Sequence, residues 1–183
     1  MNICEAPEST ITADAEKVTG DDGTLTAGDG SMLTGGDDAD LLGGDRSTLT
    51  GGDRSTLTGG QDSTLTGGYG SKMTAGDRST ITGKGLSTLK AGDRSTLTAG
   101  EGSTLTGGRG STLTAGYGST LIAGNDSALI GGEGSALTGG PGSRISIEWR
   151  DGGRKRLATG YVGEDLESGV SYRVDNEGNF VQA

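Results

Sequence analysis

Pairs of threonine recur along this chain at one fixed spacing. Thr48/Thr50, Thr64/Thr66, Thr80/Thr82, Thr96/Thr98 and Thr112/Thr114 each stand sixteen residues after the last. A threonine carries a hydroxyl that both donates and accepts hydrogen bonds and a branched Cβ that stiffens χ1. A regular array of ten such side chains would offer ordered contacts to water, with no covalent step. Covalent chemistry has few other means here. The chain has no His and a single cysteine, Cys4, so no internal disulfide can form. No pair of buried carboxylates and no activated nucleophile can be picked out, so no catalytic residue is expected. The glycine-rich segments lack a P-loop lysine and a following helix.

The threonines sit in a longer repeat. From Thr19 to Ser146 an octad of the form small-Gly-x-x-Ser-Thr-Leu-Thr runs unbroken through 128 residues, or 16 copies. Numbered from Thr19, position 2 is Gly in 15 octads, Lys84 being the exception. Position 5 is Ser in 14, Gly23 and Ala39 being the exceptions, and position 7 is Leu, Ile or Met in all 16. Positions 5 to 8 alternate inward and outward with period 2, which predicts a short half-buried strand. Gly at position 2 and the polar pair after it predict a corner, where positive φ or tight curvature suits a residue without Cβ. One octad is a strand and a turn and cannot enclose a core. Two octads make a flat 16-residue coil. The fold class expected is therefore all-β: a parallel β-solenoid of about 8 coils, spaced about 4.8 Å apart and roughly 40 Å long. Its core would be a leucine column flanked by serine hydroxyls donating up a ladder.

Three segments are expected. Residues 1–18 form an irregular N-terminal coil or cap, with Ser9-Thr10-Ile11-Thr12 as the tail of one unit and Ala13–Val18 as a shortened one. Residues 19–146 form the octad solenoid. Residues 147–183 form a small β-rich C-terminal cap. Ser143–Arg150 reads as a strand, with Ile145, Ile147 and Trp149 on one face, and Asp151-Gly152-Gly153 as a hairpin turn. Arg154–Tyr161, Val170–Val174 and Phe180-Val181 read as further strands, the last two separated by a turn at Asp175–Gly178. The cap would cover strand edges that otherwise invite uncontrolled stacking.

Composition bounds the partners. Aromatics make up 3% of the chain, which suits a core too narrow for large rings, and the net charge of −10 disfavours nucleic acid. No apolar run is long enough for a signal peptide or a membrane span, so a soluble protein is expected. The octad period of 8 and the lack of an Asp fixed at one phase set the repeat apart from calcium-binding nonapeptide solenoids. No metal and no cofactor are expected.

Ala115-Gly116-Tyr117-Gly118-Ser119-Thr120, the Gly-Asp-Arg-Ser octads at 44–47, 52–55, 76–79 and 92–95, and the tail Trp149-Arg150-Asp151-Gly152-Gly153-Arg154-Lys155-Arg156-Leu157 together resemble the bacterial ice nucleation proteins. Tyr172-Arg173-Val174 is similar to their C-terminal cap as well. The likeness covers about residues 19–183. It implies a solenoid that organises water or binds ice, and assembly through tyrosine and arginine edges. Candidate assembly residues are then Arg46, Arg54, Arg78, Arg94, Tyr69 and Tyr117. The chain departs from that family in lacking a large N-terminal domain, in having eight coils instead of dozens, and in keeping only two tyrosines at position 3.

The two faces of the coil differ. Even octads carry the ten threonines without interruption. The odd face is broken by Asp40/Leu42, Lys72, Lys90 and Ile122. The ten even-face threonines are therefore the expected water-organising site, with ice or ordered water as partner and activity that is weak unless several chains assemble. The other reading is a self-associating structural solenoid, a homo-oligomer without ice activity. The position-4 arginines are expected to offset their neighbours Asp45, Asp53, Asp77 and Asp93, and stacking should bring Asp29, Asp45, Asp77 and Asp93 into one column.

Overall fold

A computed structural model describes residues 10–11, by their backbone, and residues 16–183 in full. The described residues form no helix. The rod opens with β1 (Thr10–Ile11), β2 (Glu16–Val18), β3 (Thr24–Ala27), β4 (Met32–Thr34), β5 (Asp40–Leu42) and β6 (Thr48–Thr50). It continues through β7 (Thr56–Thr58), β8 (Thr64–Thr66), β9 (Lys72–Thr74), β10 (Thr80–Thr82), β11 (Thr88–Lys90) and β12 (Thr96–Ala99). Then follow β13 (Thr104–Gly107), β14 (Thr112–Ala115), β15 (Thr120–Ala123), β16 (Ala128–Gly131) and β17 (Ala136–Thr138). It closes with β18 (Arg144–Asp151), β19 (Arg154–Tyr161), β20 (Ser171–Val174) and β21 (Phe180–Gln182).

Odd strands β1 to β17 stack in one parallel sheet and even strands β2 to β18 in another. Every pairing between stacked coils joins residues sixteen apart, as in Thr80↔Thr96, Ile81↔Leu97 and Thr82↔Thr98. The chain is thus an all-β parallel solenoid of about eight 16-residue turns. Position 7 faces inward throughout: Leu49, Leu65, Ile81, Leu97 and Leu113 have no solvent exposure. Burying a leucine stabilises by about 1.5–3 kcal/mol, and among the described residues the two opposed leucine columns make up most of the apolar interior.

Serine solves the polar half of the core in a way the sequence did not suggest. The hydroxyls do not form a chain of their own. Ser79 N donates to Ser95 Oγ at 3.2 Å, and Ser95 Oγ donates to the Gly76 carbonyl of the preceding coil at 3.4 Å. The same pair of contacts at one hydroxyl recurs at Ser79, Ser103, Ser111, Ser119, Ser127, Ser135 and Ser143. Ser55 and Ser71 alone approach each other through their hydroxyls, at 3.4 Å. No described buried side-chain N or O lacks a partner.

The corner also works differently from the expectation. Positive φ belongs to position 4 in all 16 octads, whether it holds Gly70, Asp62, Arg78 or Leu86, and not to the position-2 glycine. Position 2 is glycine because consecutive coils touch there. A Cβ on Gly68 would stand 2.6 Å from the Asp53 amide nitrogen, and one on Gly132 2.6 Å from that of Tyr117. The position-2 rungs run from 2.9 Å, Gly68 to Gly52, to 3.3 Å, Gly92 to Gly76, and Lys84 reaches the Gly68 carbonyl at 3.4 Å.

At the N-terminal end the sixteen-residue offset persists. Thr10 pairs with Thr26, and Glu16–Val18 pair with Met32–Thr34. Thr10 therefore aligns with position 8 instead of position 6, and Glu16–Val18 with positions 6 to 8, because the parallel ladder fixes the offset. Residues 1–9 and 12–15, including the rest of the proposed N-terminal cap, lie outside the described residues. Lys17 takes the core position held by leucine in later coils, and its ammonium reaches the Thr26 carbonyl at 3.3 Å.

At the other end β18 pairs in parallel with β16 over Arg144–Ile147, then runs on into an antiparallel hairpin with β19. Gly152 and Gly153 both have positive φ, as a type I′ turn requires. The second sheet ends by antiparallel pairing of β17 with β20 and of β20 with β21. Trp149 lies against Gly178 and joins the two hairpins, while Tyr172 and Phe180 meet edge to face at 6.3 Å.

Gly68→Ala is expected to lose about 1–3 kcal/mol, since the new methyl must push two coils apart. Gly118→Asn, at an open position-4 site where other octads carry Asp or Arg, is expected to lose under about 1 kcal/mol. Chemical denaturation of the two variants checks the order, and equal losses would refute the close-approach account.

Candidate functional site

The ten threonines come together on one surface. β6, β8, β10, β12 and β14 are consecutive strands of the even sheet. Their pairings align Thr48, Thr64, Thr80, Thr96 and Thr112 in one column and Thr50, Thr66, Thr82, Thr98 and Thr114 in a second. Nine are exposed and Thr114 is half-buried. The leucine or isoleucine between the members of each pair is fully buried, so both threonines of a pair must point outward. Neighbours stand about 4.8 Å apart along a column and about 6.8 Å across it. Among the described residues no protein group hydrogen-bonds any of the ten hydroxyls. The patch is bounded by Met32 on β4 and by Ala128 and Ile130 on β16. The opposite sheet lacks such an array: Asp40, Leu42, Lys72, Lys90 and Ile122 stand exposed among its threonines.

The corners hold this grid in register. Position-3 aspartates accept the backbone N–H of the same position one coil on. Asp45 takes the Gln61 amide at 2.8 Å, Asp53 that of Tyr69 at 2.7 Å, Asp77 that of Asp93 at 2.9 Å and Asp93 that of Arg109 at 2.8 Å. Asp29 and Asp45 do stack, and the amide between them relieves part of their repulsion. An Asp, or Asn125 once, at position 3 in half the octads was the legible sign of this ladder.

The charges of Asp53 and Asp77 act on Arg54 and Arg78 as the sequence suggested, but the ion pairs form elsewhere. Arg54 and Arg78 reach back one coil to Asp38 and Asp62, with Nε–Oδ1 distances of 2.9 and 2.8 Å. Position 4 stacks on position 4, so the partner lies sixteen residues away and not next door. Asp45, Asp53, Asp77 and Asp93 are committed to amides instead. Arg46 and Arg94 form no ion pair among the described residues. The Arg54 and Arg78 guanidiniums hold the Asp38 and Asp62 carboxyls below the usual carboxylate range, chiefly by hydrogen bonding. Arg46, Arg78 and Arg94 line one corner. Arg54, Tyr69 and Tyr117 line the other, Tyr69 lying against Gly85 and Tyr117 facing Gly134. The six candidate assembly residues therefore do not form one patch.

Among the described residues no three His, Cys, Asp or Glu side chains gather where they could hold a metal ion. Among the described residues no helix is long and apolar enough to cross a membrane. No protein-family model, no curated protein and no solved structure matches this chain.

Since the folded pKa values of Asp38 and Asp62 are lowered, their contribution to stability is complete above the ordinary aspartate value of about 3.9 and is lost as pH falls through the folded values. Acid titration followed by circular dichroism is expected to show Arg54→Gln/Arg78→Gln converging on wild type below that value, both pairs being exposed and small in effect. A gap that widens on acidification would contradict this.

Proposed function

We propose that the even face organises water into an ice-like layer and binds ice, and that a single chain does so weakly. The observation that carries the reading is the two-column grid of ten outward threonines in strict register. Such a grid presents a hydroxyl and a methyl at every node. Restricted χ1 keeps each node in place, and the hydrogen-bonded stack beneath keeps the nodes in register. Water bound there has fixed anchors at a constant pitch. The resemblance of the octads and tail to the ice nucleation proteins points the same way. The area is small, about 19 Å along the rod by the coil spacing. A templated layer of that size is below what strong nucleation needs, so potency grows when several faces lie side by side.

Droplet freezing and partition into a growing ice front test this reading. Wild type is expected to freeze above buffer and to enter ice. Thr80→Lys/Thr96→Lys, at the centre of the grid, should fall to the buffer baseline, and Thr88→Lys/Thr104→Lys on the opposite sheet should behave as wild type. A wild type indistinguishable from buffer in both assays sinks the proposal.

A further inference from the structure

β18 runs on past the coil it stacks against. It pairs with β16 from Arg144 to Ile147, and Glu148–Asp151 continue beyond Gly131, paired with β19. The overhang and the corner that carries Tyr117 and Glu133 enclose an open cleft of about 360 Å³. Thr114 and Ile130, both half-buried, line its inner part.

The polar rim is built from two ion pairs. Glu148 and Arg150 share one face of β18, as period 2 requires, and both line the cleft with Lys155. Arg150 lies directly opposite Lys155 in the hairpin, where two like charges repel. Each is drawn to an acid instead. Arg150 Nε donates to Glu133 Oε2 at 3.1 Å, and Lys155 Nζ donates to Glu148 Oε2 at 2.9 Å. The four charges cancel, and none is sealed from solvent. The remaining N–H groups of Arg150 and Lys155, and Oε1 of Glu133 and Glu148, have no partner among the described residues. Tyr117 supplies an aromatic wall. It is 63% exposed, and a Cβ on Gly134 would stand 3.6 Å from its ring, so the ring lies along the corner beside the next coil.

We infer that this cleft binds a neutral saccharide. The lining decides between ligand classes. A charged ligand meets as many like charges as opposite ones. An apolar ligand takes water from four charged groups and returns no hydrogen bond. A sugar ring offers hydroxyls that both donate and accept, and a face of C–H bonds for the tyrosine ring. One aromatic wall with a few converging polar groups is a common form of small-ligand site, and the volume suits a mono- or disaccharide. The cleft is open, so much of the ligand stays hydrated and the affinity is weak. A free sugar and the end of a glycan chain share this ring chemistry. Of the ten grid threonines only Thr114 lines the cleft, and the inference does not rest on ice binding.

Backbone amide chemical shifts of the isotope-labelled full chain test it, in titrations with glucose, N-acetylglucosamine, maltose and cellobiose. At least one of these sugars should give saturable shifts centred on Tyr117, Gly132, Glu133 and Glu148, half-complete by about 10 mM. A disaccharide bound about tenfold more tightly than glucose supports a chain end as ligand, and equal affinity supports a free sugar. Tyr117→Ala and Arg150→Gln should each weaken binding about tenfold. Tyr69→Ala, at a corner with no hairpin beside it, should bind as wild type. Circular dichroism confirms that the strands persist in each variant. No saturable shift at these residues with any of the four sugars, equal shifts with glycerol, glycine or inorganic phosphate, or a Tyr117→Ala protein that binds as wild type would each overturn the proposal.

Discussion

Amide and carbonyl groups one coil apart meet at close to 2.9 Å along the rod, as from Gly68 to Gly52 and from Thr96 to Ser79. Everything else follows from that constraint. It puts like residues over like, so the octad becomes a set of columns. A leucine column makes a core only because each leucine lands on another. The serine column is satisfied because most hydroxyls find both an amide and a carbonyl on the coil before, as Ser95 does on Ser79 and Gly76. The constraint also explains the glycine at position 2, where coils approach too closely for a Cβ. A narrow core of this kind buries little area per residue, and close backbone contact makes up part of the difference.

The same register separates what the octad shows from what it hides. Alternation at Thr96-Leu97-Thr98 gave inside and outside directly, because period 2 is a property of the strand itself. The uninterrupted even face was legible for the same reason. Partner choice was not. Arg78 stands beside Asp77 in the sequence, yet its partner is Asp62, because contacts in a solenoid run across coils and the position-4 backbone turns the side chain away from position 3. The direction of the serine hydroxyls was hidden too. A residue type announces that a hydrogen bond is needed, and only the geometry of the stack says who donates. The phase of Thr10 was misread because a local match to Ser-Thr-Ile-Thr outweighed the offset that the ladder imposes.

Face and corner divide the labour. Among the described residues the hydroxyls of the threonine face take no hydrogen bond from the protein, so they are left to the solvent. The corners spend their polar groups on the coil above or below, through the aspartate–amide ladder and the Arg–Asp pairs. Rigidity thus comes from the edges and regularity from the core. At the two ends the pattern breaks in different ways. Lys17 puts a charge where the leucine column would otherwise end bare, and the antiparallel hairpins with Trp149 over Gly178 close the other side.

The uniform sixteen-residue offset also bears on how such a protein changes length. Each internal turn contacts only the turns before and after it, and both contacts are alike. Duplicating or deleting one sixteen-residue segment of the gene would leave both termini and every remaining junction intact. Length is then a quantised trait that changes in steps of sixteen residues.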